Sequence, residues 1–193
     1  MPGVLADNTY TSPDRTFQIR MPWLSAEGTI RADIIEPGTL IVTIADDLCR
    51  EFSVRRFSGS LAEQSLESWV EAHIRTDLNS LNVPVDMKRV ATRNGPAISV
   101  RYRVPAGFAC RRPASGGKQN TTQLDADVGV YLYYHDRLFY ELEYVVGLGP
   151  EAPRLWYVNR TPVEEILAQF ADGFEILTAS KNTNPGEAAN TER

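Results

Sequence analysis

The chain has 193 residues, 42% of them hydrophobic and 23% charged, with 25 acids against 20 Lys and Arg and a formal net charge of −5. That supplies one buried core but not two, and no run approaches the roughly 18 apolar residues needed to cross a bilayer. Cys49 and Cys110 are too few for a disulfide scaffold; buried or idle thiols are expected, and sequence leaves open whether they meet.

The start, MPGVLADNTYTSPD, has neither the basic opening nor the apolar stretch of a secretory signal, which points to the cytoplasm for the chain as encoded. Val4, Leu5 and Ala6 have the small-residue spacing found before a signal cleavage point, so a periplasmic location follows if a signal has been removed. Residues 1–8 are expected to be flexible. FQI within TFQIRM alternates apolar and polar residues and stops at Pro22, which predicts a first strand. TLIVTIAD and EFSVRRF repeat that pattern around a short polar break and predict an antiparallel hairpin.

The period then changes. Leu66, Trp69, Val70, His73, Ile74, Leu78 and Leu81 recur at spacings of three and four, with Glu63, Glu67 and Glu71 opposite, which predicts an amphipathic helix capped by Ser60 or Ser65 and ended by Asn82. MKRVATRNGPAISVRYRV predicts a second hairpin turning at Asn94 and Gly95, residues that tolerate positive φ. Residues 105–127 follow with little periodicity and are expected as a long loop. VGVYLYYHDRLFYELEYVV predicts a third hairpin. A three-residue turn on His135, Asp136 and Arg137 would set Tyr134 opposite Leu138 and place Val128, Val130, Leu132, Tyr134, Leu138, Tyr140, Leu142 and Tyr144 on one face.

Thr161, Pro162 and Glu164 open a last helix, Val163, Ile166, Leu167 and Phe170 give its apolar spacing, and Gly173 is a natural stop. Residues 179–193 are polar and small and are expected to be a disordered tail. Strands joined as hairpins with helices set apart imply an α+β fold, an antiparallel sheet sandwiched by helices in α/β/α layers, formed by a single domain over residues 9–178.

With FQIRMP, FSVRRF, SLESWVEAHI, DRLFYELEYVV and VEEILAQFADGFEIL in place, the chain resembles the PsbP/Mog-like superfamily, which includes DcrB-like bacterial proteins. The resemblance rests on apolar and helical patterns rather than on chemical signatures. It implies an antiparallel sheet between helices in proteins that mostly bind other proteins or assemblies. No functional residue carries over from a single branch, and no lipidation cysteine lies near the start.

No catalytic, cofactor or metal site is expected. His73 reads as a packed helix residue, His135 as a turn tip, and neither lies in a nucleophile motif. Asp125, Asp127, Glu141 and Glu143 read as solvated strand carboxylates, since no glycine-punctuated loop or histidine supports a cation site. SGGKQNTT lacks the first glycine of a phosphate loop and a strand leading into it.

Charge distribution is the distinctive feature. From Met87 to Leu124 there is no acid, yet Lys88, Arg89, Arg93, Arg101, Arg103, Arg111, Arg112 and Lys118 lie there, leaving 25 acids against 12 bases elsewhere. Arg101, Arg103, Phe108, Arg111 and Arg112 are the expected partner-binding residues, since arginine beside an aromatic suits tight interfaces and concentrated positive charge steers acidic partners. The partner is then an acidic protein surface or anionic ligand. Nucleic acid is disfavoured by the overall acidity and the absence of a recognised module. Local cancellation against the acidic helix face is the competing expectation, as is a small-molecule or lipid pocket on the aromatic sheet face, or a hydrolase using Cys110 or a serine.

Overall fold

The structure, a computed structural model, describes residues 3–6, 9–20, 29–36, 39–45, 49–78, 83–113, 119–148 and 163–177. Two antiparallel sheets form. The larger contains β4 (Thr29–Glu36), β5 (Thr39–Ala45), β6 (Arg50–Ser58), β7 (Val85–Thr92), β8 (Gly95–Pro113), β9 (Gln119–His135) and β10 (Leu138–Leu148) in the order β4-β5-β6-β10-β9-β8-β7. The smaller has the order β1-β2-β3-β11, from β1 (Val4–Ala6), β2 (Thr9–Thr11), β3 (Phe17–Arg20) and β11 (Phe174–Ile176). Val4–Ala6, within the stretch expected to be flexible, therefore pairs with Thr9–Thr11. The polar tail from residue 179 lies outside the described residues.

Two helices accompany these strands among the described residues, α1 (Leu66–Leu78) and α2 (Val163–Gly173). The expected α/β/α sandwich is overturned: the protein is mostly antiparallel β-sheet. On one face of the large sheet, Val70, Leu66, Trp69 and Ile74 of α1 pack over Ile98, Val100, Val128 and Val130. The opposite face is met by a second sheet as well as a helix, because FQIR and FEI pair with each other and bring Phe17, Ile19 and Phe174 down on Tyr133, Tyr140 and Leu142, beside Phe170 and Ala171 of α2. Phe17 meets Tyr140 edge-on at 6.3 Å, and Phe174 lies 5.6 Å from Tyr133, spacings that favour aromatic pairs.

The tyrosine hairpin forms with a different register from the one the sequence suggests. Leu138 pairs with His135 and Phe139 with Tyr134, so the turn is the two residues Asp136 and Arg137, at φ 49° and 64°. Two positive-φ residues match the twist of the flanking strands, and that match outweighs the cost of left-handed backbone at an arginine. The faces regroup accordingly: Tyr131, Tyr133, Tyr140, Leu142 and Tyr144 meet the small sheet and α2, while Val128, Val130, Leu132, Tyr134 and Phe139 lie toward α1.

The stretch expected as a long loop is instead the outer half of a ribbon. Val104 pairs with Ala126, the register shifts, and pairing resumes from Phe108 opposite Leu124 to Pro113 opposite Gln119. Within the shift, Ala106 sits at φ 50° and its N–H donates to Asp125 Oδ1 at 3.0 Å. Cys49 and Cys110 are joined in a disulfide, not idle thiols, with Cα atoms 5.2 Å apart. Since β10 and β9 separate β6 from β8, a flat sheet would hold these positions about 14 Å apart at the usual strand spacing. The ribbon is therefore folded back across the end of the sheet, with Leu124 buried beside the disulfide.

Candidate functional site

Arg101 and Arg103 stand two apart on β8, opposite Gly129 and Asp127. Their parity sets both on the side away from Val100 and Tyr102, which pack toward α1. Arg101 donates through Nη2 to Asp127 Oδ2 at 3.0 Å, and the Nη2 of Arg103 lies 3.6 Å from that same oxygen. Asp127 is buried, whereas the Arg103 side chain is 60% exposed. One carboxylate thus meets two guanidinium groups. Asp127 is not the solvated carboxylate expected; its burial is compensated by charge-assisted bonding.

The rest of the basic stretch divides. Arg89 bonds Glu67 of α1 through Nε at 2.8 Å and Nη2 at 2.7 Å, so the expected cancellation against the acidic helix face occurs there. Arg93 goes elsewhere: Nη1 donates to the Asp172 carbonyl at 3.0 Å, at the end of α2, and Nη2 lies 3.0 Å from Glu175. Guanidinium at a helix C-terminus is the favourable sense of the helix dipole. The backbones of Phe108, Arg111 and Arg112 pair opposite Leu124, Thr121 and Asn120, which puts all five expected partner-binding residues on one strand. The side chains of Phe108, Arg111 and Arg112 lie outside the described residues, as does Lys118.

The other candidates make contacts within the fold. Cys110 is bonded to Cys49 and offers no thiolate. His73 stacks on Trp69 at 4.8 Å and on Phe57 at 6.4 Å, while His135 Nε2 lies 3.2 Å from Asp136 in the hairpin turn. The aromatic sheet face toward the small sheet is filled rather than open, with Tyr133, Tyr140 and Tyr144 each no more than 2% exposed. Glu143 was expected to be solvated, but burial pushes its carboxyl up to about 7, with Glu141 and Glu51 adding to the rise and Arg55 opposing it. Those residues gather because β6 and β10 are neighbours, with Glu141 directly opposite Arg55 and Glu143 opposite Ser53. Sequence showed the two glutamates on one strand but not the strand beside them.

No described helix is long and apolar enough to cross a membrane. No family model matches the chain, and no curated protein matches it. Among solved structures, the chain is similar to the cyanobacterial PsbP (CyanoP) of Synechocystis, at 12% identity and a TM-score of 0.52 over 92% of this chain and 94% of that one. A Bacteroides thetaiotaomicron protein is also similar, at 12% identity and a TM-score of 0.45, over 92% of this chain and 50% of that one. At such identity the likeness concerns the fold, and the fold of this chain is PsbP-like.

Proposed function

We propose that the protein is a non-enzymatic binding or assembly module. It engages an acidic protein surface, or an anionic ligand, through Arg101, Arg103 and the ribbon carrying Phe108, Arg111 and Arg112. The observation that carries this reading is the run from Met87 to Leu124, which holds eight bases and no acid and on which the Arg103 side chain stands 60% exposed. Excess positive charge on an otherwise acidic molecule orients an acidic partner toward one end and repels it elsewhere. The Mog-like and DcrB-like grouping belongs to the same proposal. The Cys49–Cys110 disulfide favours the periplasmic alternative, since such bonds persist in oxidising compartments.

The test is affinity capture of the native partner followed by a salt titration of the purified pair. Retention is expected to fall as salt rises, and to fall by about tenfold or more when Arg103, Arg111 and Arg112 are reversed to glutamate. Salt-insensitive binding that survives the reversal would overturn the assignment.

A further inference from the structure

Building on that reading, we propose that the partner is received by strand addition: an extended acidic segment of another protein pairs along the edge of β8 between Arg103 and Pro113. β7 covers this edge only as far as Tyr102, opposite Val85. Beyond that point, among the described residues, β8 is paired with β9 on one side and with no strand on the other. A strand edge presents backbone N–H and C=O groups in a row, and a second strand satisfies them while excluding water.

Charge selects the occupant. β8 carries Arg101, Arg103, Arg111 and Arg112 and no acid. The strands at the two sheet edges, β4 and β7, mix both signs: Arg31 with Asp33 and Glu36, and Asp86 with Lys88 and Arg89. A second copy of this chain pairing edge to edge along β8 would set arginine against arginine, which like-charge cross-strand pairs disfavour. An extended acidic segment instead sets carboxylates along a strand that carries only basic charge. From Phe108 to Pro113 the ribbon offers about 20 Å of regular strand, enough for a short peptide.

The disulfide fixes where this edge lies. By tying Cys110 to Cys49 it holds the outer ribbon across the end of the sheet, so the docking edge is anchored before a partner arrives. Preorganisation of that kind lowers the ordering cost of binding.

The experiment uses the intact oxidised chain and three synthetic peptides of equal charge: one alternating Glu and Val, the same peptide N-methylated at alternate amides, and a Glu/Gly peptide that forms no strand. Affinity is read by fluorescence anisotropy, and backbone engagement by amide hydrogen exchange over β8. The Glu/Val peptide is expected to bind at least about tenfold more tightly than the other two and to slow exchange at amides between Arg103 and Pro113. Equal binding of all three without protection of β8 would overturn strand addition while leaving the basic-surface reading standing. If none binds, and the Arg103→Glu chain behaves like the parent toward the native partner, both fall. Concentration-dependent self-association that protects β8 without peptide would make a second copy the occupant and overturn the proposal.

Discussion

Asn94, in the turn between β7 and β8, donates its side-chain amide to the carbonyl oxygen of Phe174 in β11 at 2.9 Å, and its side-chain oxygen accepts the N–H of Ile176 at 3.0 Å. One amide thus takes the place of a neighbouring strand for β11 and locks the tip of a large-sheet hairpin to the edge of the small sheet. Replacing it with alanine leaves a backbone donor and acceptor without their partner. Asn94→Ala is expected to cost about 2 kcal/mol, seen as a lower urea midpoint with an unchanged denaturant slope. Asn94→Asp keeps the acceptor but loses the donor, and should fall between the two.

This contact shows what sequence can and cannot supply. Asn94 and Gly95 announced a turn correctly, yet only Gly95 uses positive φ, at 97°, and the asparagine is kept for a partner 80 residues away. Helix α1 was legible from its apolar spacing, and Ser65 rather than Ser60 caps it, accepting from Ser68 N–H at 3.1 Å. The hairpin partners of β5, β7 and β9 were legible from alternation. What stayed hidden was long-range: the pairing of FQIR with FEI that makes the second sheet, the disulfide, and a ribbon whose Thr, Gln and Asn residues alternate no apolar face. Of the candidate site, the charge excess was visible in the sequence. The sharing of Asp127 was not, because it depends on which strand lies beside β8.

Gly59 and Gly173 are held by close approach. A Cβ on Gly59 would stand 2.6 Å from Phe139, a wholly buried ring stacked on Trp69 and Phe57; on Gly173 it would stand 2.3 Å from the carbonyl oxygen of Arg20. Both alanine variants should lose about 1–3 kcal/mol in thermal or urea unfolding. The partners differ in kind, so the rescues should differ too. Phe139→Leu should recover part of the loss in Gly59→Ala, giving a non-additive double mutant, whereas no side-chain change can relieve a clash with backbone at Arg20.

Glu143 makes stability depend on pH in a definite direction. Its folded carboxyl titrates near 7, raised chiefly by burial, against an unfolded value near 4.5. Between those values the folded state binds more protons than the unfolded one, so stability falls as pH rises from about 4.5 through 7. Glu143→Gln removes this dependence. It should be more stable than the parent at pH 8 by about 3 kcal/mol and nearly equal to it at pH 4.5, as read by denaturant unfolding at the two pH values. Parallel curves for the two proteins would contradict the assignment.

The disulfide closes a loop between positions 61 apart in sequence, and the chain-entropy model gives about 4 kcal/mol for a closure of that size. Reduction, or Cys110→Ser with Cys49→Ser, should lower the unfolding midpoint accordingly. Because Leu124 is buried beside the bond, amide exchange should rise most between Phe108 and Leu124, while Leu132 and Leu142 in the centre of the sheet keep their protection. A uniform rise across the sheet would show that the bond supports the whole fold rather than the ribbon.

Asp127 separates the structural role of the arginine cluster from its binding role. In Asp127→Asn, Arg101 loses a carboxylate at 3.0 Å and Arg103 one at 3.6 Å, so the surface gains one positive charge and the fold loses a charge-assisted bond to a buried group. Stability should drop by about 1–2 kcal/mol, since a charge-assisted hydrogen bond is lost while both guanidinium groups keep access to water. If β8 engages an acidic partner, the same variant should bind it several-fold more tightly and with a steeper salt dependence, provided binding is measured below its unfolding temperature. If the arginines serve only to hold Asp127, affinity follows stability downward. The two readings thus move affinity in opposite directions for one substitution, and Arg103→Gln checks the result. Its exposed guanidinium sits 3.6 Å from Asp127, so neutralising it should weaken binding while leaving the unfolding midpoint nearly unchanged.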